Sequence, residues 1–140
     1  MKFEGEYFNG RRNGKGKEYY NNGDLLFEGE YLNGKRNGKG KEYNFMNGKL
    51  EFEGEYFNNI RWKGNIYSYS GKIICKVNNE NNKVKEYNYN GKLIFEGEYL
   101  NGKRNGKGKE YDDNENLIFE GTYLNGERKK KMEIEENYNF

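Results

Sequence analysis

The chain has 140 residues, of which 34% are charged and 17% aromatic, and its 25 basic and 23 acidic side chains leave a net charge of only +2. So balanced a charge argues against binding to a nucleic acid. The chain has no histidine and one cysteine, Cys75, which excludes a Ser-His-Asp triad, an imidazole metal site and an internal disulfide. Its carboxylates alternate with lysines in a repeated pattern, whereas a catalytic pair would be expected at one unique place. We therefore expect no enzyme, no catalytic or metal site and no cofactor.

One phrase recurs along the whole chain. Residues 27–43, FEGEYLNGKRNGKGKEY, return letter for letter at 95–111, and a near copy begins at Phe3. Partial copies begin at Phe52 and Phe119, and the gap between Phe52 and Phe95 is long enough for two units. An internal repeat of this length indicates an array of supersecondary units. We predict a single domain, residues 1–140, with units near 3–26, 27–51, 52–74, 75–94, 95–118 and 119–140.

Each unit is predicted to be a β-hairpin. Residues 25–32, LLFEGEYL, alternate between two faces with a period of two, which is typical of a strand. A turn is predicted over 33–38, opened by Asn33-Gly34, and the return strand over 39–44. Asn47-Gly48 then turns the chain into the next unit. The prediction is an all-β fold, an elongated array of about six antiparallel hairpins in one meander sheet.

Glycine recurs inside the predicted strands, as at Gly29. Such a glycine weakens a strand unless another group packs closely on the backbone. We predict a register in which Tyr31 faces Gly40 and Glu30 faces Lys41. The tyrosine ring would then cover the glycine of its own hairpin, and an ion pair would lie on the opposite face.

At these residues the sequence resembles a MORN-repeat protein. The unit of that family runs aromatic-Glu-Gly-Glu-aromatic, then Asn-Gly-Lys-Arg, then Gly-Lys-Gly, and these phrases stand here at 27–31, 33–36 and 38–40. The present units are slightly longer than usual, their second aromatic is tyrosine rather than tryptophan, and residues 57–62 replace the usual turn. These departures resemble the bacterial variant found in antitoxin-like proteins, or a protist-type array.

The resemblance implies an array without catalysis that serves as a scaffold for other proteins or attaches to phospholipid. Our first expectation is a scaffold that binds another protein through its aromatic face or an exposed edge. The alternatives are a peripheral membrane module that binds anionic phospholipid and an antitoxin-like partner of a toxin. Because the sequence shows no signal peptide and no apolar run that could span a bilayer, we expect a cytoplasmic protein, with peripheral membrane attachment as the alternative.

Two sets of residues are candidates for these surfaces. Trp62, the only tryptophan, lies beside Ile60 and Arg61; it is expected to be a packed structural residue first and an interface anchor second, since tryptophan and arginine are enriched among such anchors. The repeated tyrosines are expected in the core first and at a binding groove second; they are Tyr31, Tyr56 and Tyr99. Equivalent turns should align along one edge and form a basic ridge for anionic lipid, unless these cations simply pair with neighbouring glutamates. The ridge residues are Arg11, Arg12, Lys35, Arg36, Lys103 and Arg104.

The remaining expectations concern Cys75 and the two ends. Cys75 is expected to be a small buried hydrophobe rather than a reactive thiol. Residues 128–140 carry a basic run and then an acidic run, as a capping unit would. At the other end Met1 and Lys2 lead directly into a unit, so the N-terminal sheet edge is the predicted surface for a homo-oligomer.

Overall fold

A computed structural model of the chain describes residues 2–131, with the side chains of the last two outside the description. These residues form one open sheet of 12 antiparallel strands that follow each other in chain order, and none of them is helical. The predicted all-β meander of about six hairpins is confirmed. The strands are β1 (Lys2–Phe8), β2 (Arg11–Tyr19), β3 (Leu25–Leu32), β4 (Lys35–Tyr43), β5 (Leu50–Phe57), β6 (Ile60–Tyr67), β7 (Ile73–Asn78), β8 (Lys83–Tyr87), β9 (Leu93–Leu100), β10 (Lys103–Tyr111), β11 (Leu117–Leu124) and β12 (Glu127–Lys131).

The turn inside each hairpin is shorter than the sequence predicts. Asn33 and Gly34 alone reverse the chain, with φ of 51° and 85°, as in a type I′ turn. Strand β4 therefore begins at Lys35 rather than at Lys39. The predicted turn over 33–38 is wrong because two residues with positive φ already match the twist of the flanking strands.

The short turn also changes the register. Gly29 faces Gly40, and Tyr31 faces Arg36. The predicted pairing of Tyr31 with Gly40 is therefore wrong. Once the chain reverses at residues 33 and 34, the return strand reaches the tyrosine four residues earlier than predicted.

The pairing predicted for Glu30 is wrong as well, since Lys41 faces Glu28. Glu30 instead lies beside a bulge in β4, where Gly38 has a φ of 101°. Its carboxylate accepts a hydrogen bond of 2.6 Å from the backbone N–H of Lys39. The bulge absorbs the residues that the sequence-based prediction assigned to the turn.

Aromatic rings lie directly on the glycines of the strands. A Cβ atom added to Gly40 would lie 2.6 Å from the Phe27 ring and 2.8 Å from the ring of Tyr56 in the next unit. The predicted close packing on glycine is thus confirmed, but Tyr31, Tyr56 and Tyr123 each cover a glycine of the preceding hairpin rather than of their own. Phe27, which lies over Gly29 and Gly40, is 0% exposed.

The two sides of the sheet differ in chemistry. We call the side that carries Phe27, Tyr31 and their equivalents the ring face; Phe52 and Phe95 are fully buried on it. The rings pack edge to face, and Phe27 and Tyr56 have centroids 5.1 Å apart. Alternation along each strand sends residues such as Glu28, Glu30 and Lys41 to the opposite side, which we call the charged face.

Strands β7 and β8, here called the irregular unit, fill the same space differently. Cys75 takes the place of Phe27 in the register, facing Ile66 and Glu86. Val77 and Val84 stand in the row that holds glycine in the neighbouring hairpins. Where the phenylalanine ring is missing, the side chains of Val77 and Val84 in the glycine row fill the space that the ring fills elsewhere.

Cys75 is buried, as the sequence predicts. Burial, together with the charge of Glu86, raises the pKa of the Cys75 thiol to about 11. The thiol is therefore protonated at neutral pH.

Strand β1 forms one edge of the sheet, and β12 lies at the other edge of the described region. Self-association through the edge of β1 stays a prediction. Residues 132–140 of the predicted C-terminal cap lie outside the described residues. Within the described range there is no helix of the length and apolarity needed to cross a membrane.

Candidate interaction surfaces

A network of arginine, glutamate and tyrosine ties neighbouring hairpins together on the ring face. Arg36 donates hydrogen bonds of 3.1 Å to both carboxylate oxygens of Glu18 in the preceding hairpin and one of 3.3 Å to Glu42 in its own. The Tyr31 hydroxyl also donates to Glu18. The Arg36 guanidinium lies 4.1 Å from the centroid of the Phe27 ring, which is cation–π geometry.

The same arrangement recurs in other units. In each case an arginine and a tyrosine of one hairpin both bond a glutamate of the preceding hairpin; the sets are Arg61, Tyr56 and Glu42, then Arg104, Tyr99 and Glu86, then Arg128, Tyr123 and Glu110. No buried side-chain nitrogen or oxygen in the described part of the chain lacks a hydrogen-bond partner. These polar groups hold the array together and are already fully engaged.

The network sets the ionisation of its members. Burial alone would raise the pKa of Glu18, but the hydrogen bonds from Arg36 and Tyr31 outweigh it and lower that pKa. The hydrogen bond from Arg128 is the main cause that lowers the pKa of Glu110 to about 2. Burial, and then the bond to Glu18, raise the pKa of Tyr31. At neutral pH Glu18 and Glu110 are thus ionised and the Tyr31 phenol is neutral.

The six residues predicted to form a basic ridge fall on two faces of the sheet. Three of them turn to the ring face and take part in ion pairs with the network glutamates: Arg12, Arg36 and Arg104. The other three are exposed at the hairpin turns: Arg11, Lys35 and Lys103. Only half of the predicted ridge is therefore available at that edge.

A comparison of the units could have separated these two sets. Every unit that keeps this turn has arginine at the second position after it, namely Arg12, Arg36, Arg61, Arg104 and Arg128. The position before it varies among arginine, lysine, isoleucine and glutamate. A position that admits only arginine indicates bidentate pairing, which lysine cannot provide.

The three tyrosines, expected in the core first and at a binding groove second, pack into the array. Tyr31 and Tyr56 are buried, and their hydroxyls are bonded to Glu18 and Glu42. Tyr99 is half-buried, and its ring meets Phe95 at 48° rather than edge-on. The structure thus places all three in packing and hydrogen-bonding roles.

A row of exposed apolar residues, which the sequence analysis did not single out, runs along the hairpin turns. Each member is the last residue of a strand before a two-residue turn; they are Phe8, Leu32, Phe57, Leu100 and Leu124. Their cross-strand partners are Arg11, Lys35, Ile60, Lys103 and Glu127. The signal was the period of two, which puts each of these residues on the face opposite the preceding tyrosine.

One pair in this row is apolar on both strands. Phe57 and Ile60 are 50% and 53% exposed, and the ring of half-buried Trp62 lies 5.4 Å from that of Phe57. We call these three residues the apolar patch. Arg61, predicted alongside Ile60 and Trp62, turns to the ring face instead and bonds Glu42 at 2.7 Å.

The charged face carries two open grooves whose floor is the backbone of the glycine row. The first groove, of about 980 Å³, crosses β1 to β5 and is lined by five glutamates and four lysines. The second groove, of about 760 Å³, crosses β6 to β11 and is lined by five lysines and two glutamates. The second groove is the more basic of the two. No group of three histidine, cysteine or acidic residues in the described part of the chain is placed to hold a metal ion.

The family model of the MORN repeat matches residues 3–25, 27–45 and 95–116. The chain is a MORN-repeat protein. The three matched segments are the most regular hairpins of this MORN array, and the apolar patch and the irregular unit lie between the second and third matches. MORN repeats generally mediate binding to proteins or membranes. A search of the curated proteins found no match to this chain, so membership of the antitoxin-like variant or of a protist-type array stays a prediction.

Proposed function

We propose that this MORN array is a non-catalytic scaffold that binds another protein, with the apolar patch as its anchor. The observation that carries the proposal is the replacement of a cation by Ile60 beside exposed Phe57, with Trp62 against the same ring. Tryptophan and other aromatic side chains dominate the energetics of protein interfaces when they cluster.

The patch is large enough to matter energetically. Burying the half of each side chain that is now in water contributes about 1 kcal/mol per residue, or roughly 3 kcal/mol for the three. The three residues already lie on a rigid sheet. Binding therefore loses little of this contribution to the conformational entropy of ordering them. An antitoxin-like role would be one form of such binding, and a toxin-like gene beside this one would favour it.

Binding to anionic phospholipid is the second candidate. It is favoured by the alternation of apolar and cationic residues at the turns, in the pairs Phe8 with Arg11, Leu32 with Lys35, and Leu100 with Lys103. Each cation near an anionic surface contributes about 1 kcal/mol. The arginines on the ring face add nothing to that sum because they are already paired, which makes this candidate the weaker one.

One substitution separates the two candidates because it changes them in opposite directions. Ile60→Lys introduces a lysine, the residue type found at the equivalent position of the second unit, Lys35, so the hairpin should tolerate it. It removes the centre of the apolar patch and adds one cation to those exposed at the hairpin turns, Arg11, Lys35 and Lys103. Tagged wild-type and variant proteins would be compared in pull-downs from the source lysate and in sedimentation with phosphatidylserine vesicles at low salt.

We expect Ile60→Lys to lose a protein that the wild type retains, whereas Leu124→Ser, in the same row but outside the patch, keeps it. Vesicle binding should be weak for the wild type. The proposal fails if the variant retains the same proteins as the wild type. Strong vesicle binding that rises further with Ile60→Lys would favour the membrane candidate instead.

A further inference from the structure

A ladder of alternating charges crosses the charged face of the first three units. Residues that face each other from strand to strand alternate in sign along β1 to β5, in the order Glu4, Lys17, Glu28, Lys41 and Glu53. Opposite charges directly across an antiparallel pair contribute roughly 0.2–1 kcal/mol, and like charges there are destabilising. The ladder is thus a stabilising feature of the regular array.

The ladder is interrupted in the irregular unit. The next members are Asn65, Lys76 and Lys85, after which Glu96 restores the alternation. Lys76 stands where Glu28 stands in the second unit, so two lysines face each other directly. Asn78, two residues after Lys76 in β7, takes the position that Glu30 holds in the second unit.

The interruption leaves Lys76 without a facing carboxylate, because its cross-strand neighbours are Asn65 and Lys85, whereas Lys83 and Lys85 also face Glu98 and Glu96 of β9. Lys76, Lys83 and Lys85 are exposed in the second groove, and the amides of Asn65 and Asn78 line it beside them. Among the described residues, no carboxylate forms an ion pair with the ammonium of Lys76 or Lys85. An array that alternates charge elsewhere, and here accumulates positive charge in a cleft, is complementary to an external anion.

The form of the groove selects among anions. It extends over five strand spacings, about 24 Å, which matches about seven residues of extended chain. A cleft of this kind admits a peptide, whereas a bilayer surface is flat. The groove also begins beside the apolar patch, since Asn78 lines it and the next residue, Asn79, donates a backbone hydrogen bond of 2.8 Å to the carbonyl of Trp62.

We propose that the second groove binds an acidic, extended segment of the protein partner, with Lys76, Lys83 and Lys85 as its cationic contacts. The inference deepens the proposed function and rests on it. The partner would present an apolar anchor to the patch and a run of aspartate or glutamate to the groove. Both contacts lie on the same side of the sheet, so one continuous segment can make them.

The test measures fluorescence anisotropy of a labelled heptaglutamate peptide at low and physiological salt. Lys76→Glu restores the alternating ladder and places an anion in the groove, so we expect it to weaken peptide binding at least about tenfold. Lys49→Glu makes the same charge change at an exposed turn outside both grooves and should alter binding by less than about twofold. The melting temperature of Lys76→Glu should equal or exceed that of the wild type, which separates lost binding from lost folding.

Three results would overturn the proposal. One is an equal loss in Lys76→Glu and Lys49→Glu, which indicates attraction between net charges only. The second is equal binding of a heptaglutamine peptide. The third is binding to phosphatidylserine vesicles that depends on Lys76 while the peptide does not bind. Ile60→Lys should still bind heptaglutamate, so failure of the apolar anchor and failure of the groove are separable.

Discussion

The second unit and the irregular unit fill the same layer of the sheet in two ways. In the second unit Phe27 lies over bare glycine backbone, and an arginine joins the glutamates on either side. In the irregular unit Val77 and Val84 occupy the glycine row and Cys75 stands where the ring would be, while Ile66 of the neighbouring strand β6 replaces a network glutamate. Each loss on the ring face is matched by a gain nearby.

The charged face of the same unit shows no such matching. Lys76 replaces a glutamate, and neither of its cross-strand neighbours, Asn65 and Lys85, is acidic. Changes that are compensated keep a fold intact, whereas an uncompensated one costs stability and needs another explanation. The difference between the two faces is what directs us to the groove as a binding site.

The largest effect expected from this comparison separates two equivalent core positions. Phe27→Ala should lower the free energy of unfolding by about 3–5 kcal/mol, since it removes a fully buried ring. Cys75→Ala removes only a small group and should cost about 1 kcal/mol. Urea denaturation followed by tryptophan fluorescence measures both. Equal losses would mean that the irregular unit is packed on the same principle as the others.

The next effect concerns the network, to which the irregular unit contributes the glutamate Glu86 but no arginine or tyrosine. Arg36→Met removes both guanidinium hydrogen bonds to Glu18 and leaves only the Arg12 ion pair at 3.7 Å, so it should cost about 3 kcal/mol, because the carboxylate is almost fully buried. Lys35→Met, at the exposed neighbouring position, should change stability by no more than about 0.5 kcal/mol. If thermal or urea unfolding gives the two variants similar stabilities, the ring-face ion pairs do not support the array.

A double-mutant cycle tests whether valine on the glycine row compensates for a missing ring. Gly40→Val should cost about 1–3 kcal/mol alone, because its side chain meets the Phe27 and Tyr56 rings. Combined with Phe27→Cys it imitates the irregular unit, and the pair should be less harmful than the sum of the singles by about 1 kcal/mol. Additive losses would refute the compensation.

The smallest effect is a dependence on acid at the end of the array. The folded pKa of Glu110 is about 2, against an ordinary value of 4.5, so its contribution is complete above pH 4.5 and is lost as the pH falls toward 2. The effect is modest because the Arg128 partner is half exposed, and solvent screens the pair. Glu110→Gln should flatten the stability profile over this range. An unchanged slope in that variant would contradict the assignment.

These comparisons also explain what the sequence could and could not reveal. Period-two alternation and Asn33-Gly34 were sufficient for the hairpins, the meander and the close packing on Gly29. The register was not predictable from alternation, because the residues around Gly38 form a bulge rather than a longer turn. The true register places Lys35 beside Leu32 and Arg36 beside Tyr31, on opposite faces, a difference that the invariance of arginine at the second position could have indicated.

The candidate site was partly visible in the sequence. Trp62 and Ile60 were identified from residue type, but Phe57 was missed because its exposure depends on the position of the turn. The contact between Lys76 and Lys85 could not be seen at all, since it requires the pairing of β7 with β8. The small net charge of the whole chain hides the local excess of positive charge in the second groove.

The most direct test of the irregular unit as the binding site is an amide ¹H–¹⁵N correlation spectrum of the protein titrated with heptaglutamate. The account predicts shift changes concentrated at Lys76, Lys83 and Lys85, with Lys17 and Lys41 of the first groove unaffected. Equal changes at the lysines of both grooves would contradict it.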